Sequence, residues 1–272
     1  MISILVPTIN YLEYLQLTIE SIYKNTSVPF EIVVFDNGSD DGTYEWCTAK
    51  TDDNFTYLRS DENVGLSKAY NGMARASMYD LIMFANNDYY VAPGWDTAVL
   101  EVKRYGGWRG PMQVERDRPT RSITADYGTT PDNFDIEGFE RNFNSNKVYP
   151  HRHYVPYMPT ILRKDDFWNF GAYDETKFFC GQEFLWRAHN YFRKKGRLQL
   201  TCPTSYFYHF RCVTDLVKYE GEMIDWRKIL RQENIDWLAT QDITEEEQDA
   251  YMSHYGVHGP SMDADGVLVA YP

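Results

Sequence analysis

Glu31-Ile-Val-Val-Phe-Asp-Asn-Gly-Ser-Asp-Asp-Gly42 is the stretch on which the fold turns. After the leading glutamate come four apolar residues, two of them Val, which suit a buried strand. Asp36 ends that strand. A polar turn punctuated by Gly38 and Gly42 follows and opens a helix through Lys50.

On both sides of this unit, short β-rich runs alternate with helical patterns. Ser3–Pro7 reads as the first strand, and Asn10 as the cap of the next helix, with Glu13 completing a capping-box-like pair. Leu12, Leu15, Ile19, Ile22 and Tyr23 then share one helical face. Thr56–Arg59 is a third strand, Ser67–Ala76 a helix, and Leu81–Ala85 a fourth strand running into Asn86-Asn-Asp88. Tyr89–Val91 is a short strand, Pro93-Gly94 a turn and Trp95–Tyr105 a helix. The alternation predicts an α/β fold with a Rossmann-like, mainly parallel sheet flanked by helices.

From Trp108 to Pro150 the pattern dissolves into a charged stretch with Pro, Gly and Asn. So long a loop in a compact domain is functional or disordered. Order is expected again at Tyr154–Leu162 (strand), Lys164–Phe170 and Gly181–Lys195 (helices) and Leu198–Thr201 (strand). An acidic, partly helical tail follows Lys218.

Composition narrows the function classes. The 272 residues carry 27 Lys+Arg against 40 Asp+Glu, a formal charge of -13, which disfavours nucleic acid or an anionic membrane as partner. The longest apolar stretches are strand-sized, so no integral membrane segment is expected. The N-terminus has no basic region before its first strand, so no signal peptide is read there. Cys47, Cys180, Cys202 and Cys212 form no C-x-x-C pair and read as reduced thiols. Asn37-Gly-Ser39 and Asn54-Phe-Thr56 have the form of glycosylation acceptors, but the first lies in a loop assigned to binding. A cytoplasmic location is expected.

Open α/β sheets bind ligands beyond the carboxyl ends of their strands. Polar residues cluster there: Pro7-Thr8, Asp36-Asn37-Gly38 and Asn86-Asn87-Asp88. Asp36 can accept from a base N–H or ribose hydroxyls, or serve only as a cap or turn residue. Asp88 can hold a divalent cation bridging phosphates, or close an Asx-turn. Glu183 sits in the first turn of a helix, where the dipole favours an ionised carboxylate. It can take a proton from an acceptor hydroxyl, or merely complement the helix end and pair with Arg187. His209 can complete a metal shell begun by Asp88, or be a satisfied residue of an aromatic strand. His151 and His153 alternate on one strand-like face as a second metal pair or as solvated side chains. The 22 tyrosines include candidates for stacking on sugars, although most serve packing.

Two phosphate-binding classes fail. No G-x-G-x-x-G follows the first strand and no G-x-x-x-x-G-K-[ST] occurs, which removes dinucleotide-binding Rossmann and P-loop readings.

The ordered set Ile4-Leu-Val-Pro-Thr8, Val33–Thr43, Asn63-Val-Gly65, Phe84-Ala-Asn-Asn-Asp88 and Pro93-Gly-Trp95 resembles family 2 glycosyltransferases. Gly171–Glu175 and Phe178–Glu183 with Arg187 are similar to the family's C-terminal half. The resemblance covers residues 1–105 and 154–212 and implies a GT-A fold over residues 1–215; residues 216–272 match nothing in it and read as an acidic, partly helical C-terminal extension. Residues 1–105 would be the nucleotide-sugar-binding half, 106–153 an acceptor-side insertion and 154–215 the acceptor and catalytic half. It further implies donor contacts from Pro7, Thr8, Asn10, Asp36, Asn37, Gly38, Asn63, Gly65, Lys68, Asn86, Asn87 and Asp88. Asp88 and His209 would hold Mn²⁺ or Mg²⁺, and Glu183 would be the base of an inverting displacement. The Asn86-Asn87-Asp88 form resembles the rhamnosyltransferase-like branch. Where the family has an acidic pair this chain has Gln182-Glu183, which makes a non-catalytic, sugar-binding descendant the competing reading. A sugar-phosphate nucleotidyltransferase is disfavoured, because Pro7-Thr-Ile-Asn-Tyr11 offers no glycine-rich basic loop. Expected partners are a UDP-, GDP- or dTDP-sugar and a glycan or lipid-linked saccharide.

Overall fold

In the computed structural model of the chain, the described residues are 1–101, 106–116, 122–146, 158–179, 182–211, 216–219 and 222–225, with 228–229, 232–233, 236–237 and 240. The Asp36 strand is the second of three parallel strands: β1 (Ile2–Thr8), β2 (Phe30–Asp36) and β3 (Phe55–Arg59). β1 also pairs in parallel with β4 (Leu81–Phe84). Residues alternate between two apolar layers. Ile4, Val6, Ile32, Val34 and Met83 face one cluster, while Leu5, Val33, Ile82 and Phe84 face another. Both faces being apolar is what buries a parallel sheet between helices.

The first layer is closed by α1 (Leu12–Asn25), α2 (Thr43–Thr48) and α4 (Trp95–Glu101), through Leu15, Ile19, Ile22, Cys47, Trp95 and Val99. The second is closed by α3 (Leu66–Ala76), α6 (Lys164–Asn169) and α7 (Gln182–Lys194), through Tyr70, Met73, Phe167, Phe184 and Phe192. On the far side of β4 the sheet becomes mixed. β4 pairs antiparallel with β8 (Thr160–Arg163), and β8 antiparallel with β6 (Gly106–Glu115). β6 runs parallel to β9 (Leu198–His209), which pairs antiparallel with β5 (Tyr89–Val91). The order is therefore β3-β2-β1-β4-β8-β6-β9-β5.

Several sequence expectations are corrected. Asn10 does not cap α1: it adopts φ 58, and Tyr11 holds the cap position without a side-chain bond. Asp41, from the β2–α2 turn, instead accepts the Leu12 N–H at 2.9 Å. Residues after Trp108 are not an irregular loop but a ten-residue strand, β6. Gly106, Gly107, Gly110, Pro111 and Arg109 hide it by interrupting the alternation, and its register shifts at Gly106/Trp108 and Pro111/Met112. β6 leads to β7 (Ile123–Thr124) and α5 (Ile136–Asn142), whose Phe139 packs with Phe134, Phe143, Tyr206 and Tyr208. The strand expected at Leu198–Thr201 does not end there but runs on to His209 as the twelve-residue β9. The described part of the C-terminal segment opens as a hairpin, β10 (Leu216–Tyr219) and β11 (Glu222–Asp225), before the short helical pieces within 228–237. His151, His153, Cys180 and Cys212 lie outside the described residues.

Candidate active site

The strand ends expected to converge do so through a continuous set of hydrogen bonds. The Asn37 N–H donates to the Thr8 carbonyl at 2.8 Å, and Asn87 Nδ2 donates to Thr8 Oγ1 at 3.0 Å. The Asn10 N–H donates to Ser39 Oγ at 2.7 Å, and Asn10 Oδ1 accepts the Asp40 N–H. Asn37 Oδ1 accepts the Val64 N–H, and Asn63 Oδ1 accepts the Gly65 N–H. These bonds join the loops after β1, β2, β3 and β4 into one rim. Pro7 is buried within β1 beneath it, Asn86 half-buried at the end of β4, and Lys68 exposed in the first turn of α3.

Asp36 is fully buried and saturated by protein donors. Oδ1 accepts the Ser39 N–H at 2.8 Å, and Oδ2 accepts Tyr57 Oη at 2.6 Å and Arg59 Nη1. Burial, followed by the bond to Asp36, raises the Tyr57 pKa and keeps the phenol a donor. Asp36 thus shapes the loop that carries Asn37 and Gly38. Gly38 needs its glycine: its φ is +86, and a Cβ would lie 3.0 Å from the Asp61 carbonyl oxygen.

At the other end of the rim, Asp88 is 5% exposed. Its Oδ2 lies 3.4 Å from His209 Nε2, and its carbonyl accepts the Phe210 N–H. The β5–β9 pairing sets this meeting, because Tyr89 is registered with His209. Glu115, at the end of β6, lies 2.6 Å from His209 Nδ1. Burial works against the imidazolium, but the Asp88 and Glu115 carboxylates outweigh it and push the His209 pKa up to about 9. Burial alone would raise Glu115, yet His209, Ser122 and Arg211 hold it below the ordinary carboxylate range.

Asp88 and His209 present one carboxylate oxygen and one imidazole nitrogen toward each other; the carboxylate oxygen is the donor that suits Mn²⁺ or Mg²⁺, and the imidazole is one that divalent transition metals accept. Among the described residues no three His, Cys, Asp or Glu side chains form a self-sufficient metal cage. A cation held by this pair would need further ligands from outside it.

Glu183 is placed differently. Its two oxygens take Arg187 Nε at 2.7 Å and Nη2 at 3.1 Å. Arg187 also donates to the carbonyls of Phe170 and Ala172, both at 2.7 Å. The segment before α7 does reach the rim: the Phe178 carbonyl accepts the Leu66 N–H at 2.8 Å beside Gly65. Glu183 itself makes its described bonds only within the Arg187 group.

Sequence reasoning missed Glu115 and Gln113. The latter donates to Tyr89 Oη and to the Met158 carbonyl. A period-2 pair of polar residues at the end of a strand was the available signal, masked by the glycines and proline upstream.

The architecture, a mixed sheet with its polar rim beyond β1, β2 and β4, is GT-A. Residues 3–107 match the family model for glycosyl transferase family 2. No curated protein matches the sequence. Solved structures share the fold across most of the chain. S. aureus TarS 1-349 in complex with UDP-GlcNAc is 18% identical, with a TM-score of 0.58 over 93% of this chain and 71% of that one. GalNAc-T7 with UDP, GalNAc and Mn²⁺ is 16% identical, with a TM-score of 0.63 over 93% and 50%. The mannosyltransferase PcManGT from Pyrobaculum calidifontis, in complex with GDP-Man and Mn²⁺, is 15% identical, with a TM-score of 0.58 over 93% and 68%. At such identities the likeness shows the fold. Among the described residues no helix is long and apolar enough to cross a membrane.

Proposed function

We propose that the chain is a glycosyltransferase that moves a hexosyl or deoxyhexosyl group from a nucleotide-diphosphate sugar to a hydroxyl of a glycan or lipid-linked saccharide. The observation that carries this reading is the rim itself. Loops from four parallel strands close on one another beside the Asp88–His209 pair, 3.4 Å apart. Such a rim suits a nucleotide at Thr8, Asn37 and the Asn63–Lys68 loop, with its diphosphate toward Asp88. The match over residues 3–107 covers this donor side. The neighbours solved in complex with UDP-GlcNAc and with GDP-Man and Mn²⁺ support the ligand class.

A cation held by Asp88 and His209 would neutralise charge on the departing diphosphate. The protein residues do the rest. Asn87 and Thr8 hold the loop carrying Asp88, and Asp36 fixes the turn that presents Asn37 and Gly38. Residues 106–153 and 154–215 form the acceptor side in this reading. Glu183 is the proposed base for an inverting attack, and acting as one requires exchange of an Arg187 bond for the acceptor hydroxyl.

The bidentate hold of Arg187 on Glu183 also favours a second reading, a protein that binds the nucleotide-sugar without transferring it. One screen separates the two. UDP-, GDP- and dTDP-sugars are assayed for thermal stabilisation with and without Mn²⁺, then for donor hydrolysis and transfer to saccharide acceptors. Metal-dependent stabilisation with turnover supports the enzyme, and stabilisation without turnover supports the binder. No stabilisation by any nucleotide-sugar would overturn both.

A further inference from the structure

Glu115 stands on a strand that the donor-side motifs do not reach, yet it touches the cation side of the rim. It is 4% exposed, and its Oε1 lies 2.6 Å from His209 Nδ1. Its Oε2 accepts Ser122 Oγ at 2.8 Å. Ser122 directly precedes β7, whose Ile123 and Thr124 are registered in parallel with Val114 and Glu115 of β6. Both carboxylate oxygens are therefore fixed, one by the imidazole and one by the segment that follows β6.

The imidazole is held on a second side as well. The Tyr89 ring meets the His209 ring edge-on, with centroids 4.9 Å apart. Tyr89 Oη accepts a bond from Gln113 Nε2 at 2.9 Å, and Gln113 shares with Glu115 one face of β6. β6 thus sends two polar side chains across to fix one histidine: Gln113 through Tyr89, and Glu115 directly. The remaining ring nitrogen, Nε2, is the one turned to Asp88.

We infer that Glu115 is a positioning residue for His209, fixing the ring so that Nε2 faces the cation position shared with Asp88. Metal-binding histidines generally give their second nitrogen to a carboxylate or carbonyl, and loss of that partner typically weakens metal affinity by about 10- to 100-fold. Here the partner is tied through Ser122 to the segment leading into α5. That connects the cation side of the site to residues 122–146, which lie outside the donor half. This inference rests on the proposed function only in taking Asp88 and His209 as cation ligands.

The test uses the full chain and measures Mn²⁺ binding from the EPR signal of the free ion, with saturating UDP and, in parallel, GDP and dTDP. Circular dichroism reports folding. Glu115→Ala is expected to weaken Mn²⁺ binding by about 10- to 100-fold. Glu115→Gln, whose amide oxygen can still accept from Nδ1–H, is expected to stay within about threefold of wild type. Co²⁺ substitution supplies a spectroscopic readout: the visible bands should shift in the alanine variant and be restored in the glutamine one.

Unchanged affinity in Glu115→Ala, or equal losses in both variants, overturns the inference while Asp88 and His209 remain the cation ligands. If the alanine variant does not fold, Ser122→Ala decides. It frees Glu115 without removing it and is expected to cost about three- to tenfold in Mn²⁺ affinity, below the full loss of the histidine's carboxylate partner; an unchanged value overturns the inference. Failure of the wild-type chain to bind Mn²⁺ with any of the three nucleotides overturns the cation-site reading itself, and this inference with it.

Discussion

Glu183 and Arg187, one turn apart on α7, form a two-pronged ion pair whose remaining guanidinium donors hold the carbonyls of Phe170 and Ala172. Arg187 thereby ties α7 to the turn after α6. Gly171 between those carbonyls has φ +99, and a Cβ there would meet Arg187 Nη1 at 2.8 Å. Arg187→Met leaves two carbonyls and one carboxylate without their donors. With the Arg187 side chain 28% exposed and water able to reach part of the site, the expected loss is about 2–3 kcal/mol, at the low end for a broken buried pair. Urea denaturation followed by circular dichroism measures it.

The same pair decides the role of Glu183. If it is the base, Glu183→Gln lowers turnover by about 100- to 10,000-fold while nucleotide-sugar affinity holds. If it only braces α7, stability falls and turnover of the folded protein changes by less than about tenfold. Steady-state kinetics on protein shown to be folded distinguishes these outcomes.

Asp88 carries the cation prediction. Asp88→Asn keeps the shape of the side chain but removes the charge that a divalent ion needs. Turnover and Mn²⁺ affinity are expected to fall together, by at least about 100-fold, the scale of a metal contribution of several kcal/mol. His209→Ala should move both in the same direction, and EDTA should mimic either variant. A folded Asp88→Asn protein with wild-type turnover in EDTA would remove the metal from the mechanism.

A pH effect on stability follows from Glu140. Burial alone would raise its pKa, but bonds from Lys24, Tyr90 and Asn25 outweigh this and hold it below the ordinary value. A carboxylate depressed in the folded state stabilises fully above its unfolded pKa, and that contribution disappears as pH falls through the folded value. The difference in urea midpoint between wild type and Glu140→Gln should therefore be largest near pH 7 and shrink below about pH 4. A difference that grows on acidification would contradict the assignment.

β1, β2 and β4 were legible in the sequence because they are buried on both faces. Apolar runs such as Ile32–Phe35 end abruptly at Asp36, so period, boundary and site coincide. β6 and the cap of α1 were not, for two physical reasons. β6 carries glycines, a proline and a buried Arg109, and it is held by pairing to β8 and β9 rather than by local propensity. The cap of α1 was misassigned because the group that bonds the Leu12 N–H is Asp41, 29 residues away. Non-local bonds of this kind leave no local pattern. Glu115 escaped notice for the same reason, since its significance lies in His209, 94 residues further on.

Gly65 gives a test of how the two halves meet. It adopts φ 86 and ψ 165, a region that side chains other than hydrogen rarely enter. A Cβ at this position would also lie 2.5 Å from the Phe178 carbonyl oxygen, which accepts the Leu66 N–H. Gly65→Ala must therefore strain the backbone and push the segment before α7 away from the first turn of α3. The backbone term alone is about 1–3 kcal/mol, and the clash adds to it unless Phe178 moves. Movement of Phe178 would loosen the Asn63–Lys68 loop, so nucleotide affinity should fall along with the melting temperature. Calorimetric titration with the nucleotide found in the stabilisation screen reads the first, and thermal unfolding the second. A variant that loses stability but binds nucleotide normally would place that loop outside the donor site.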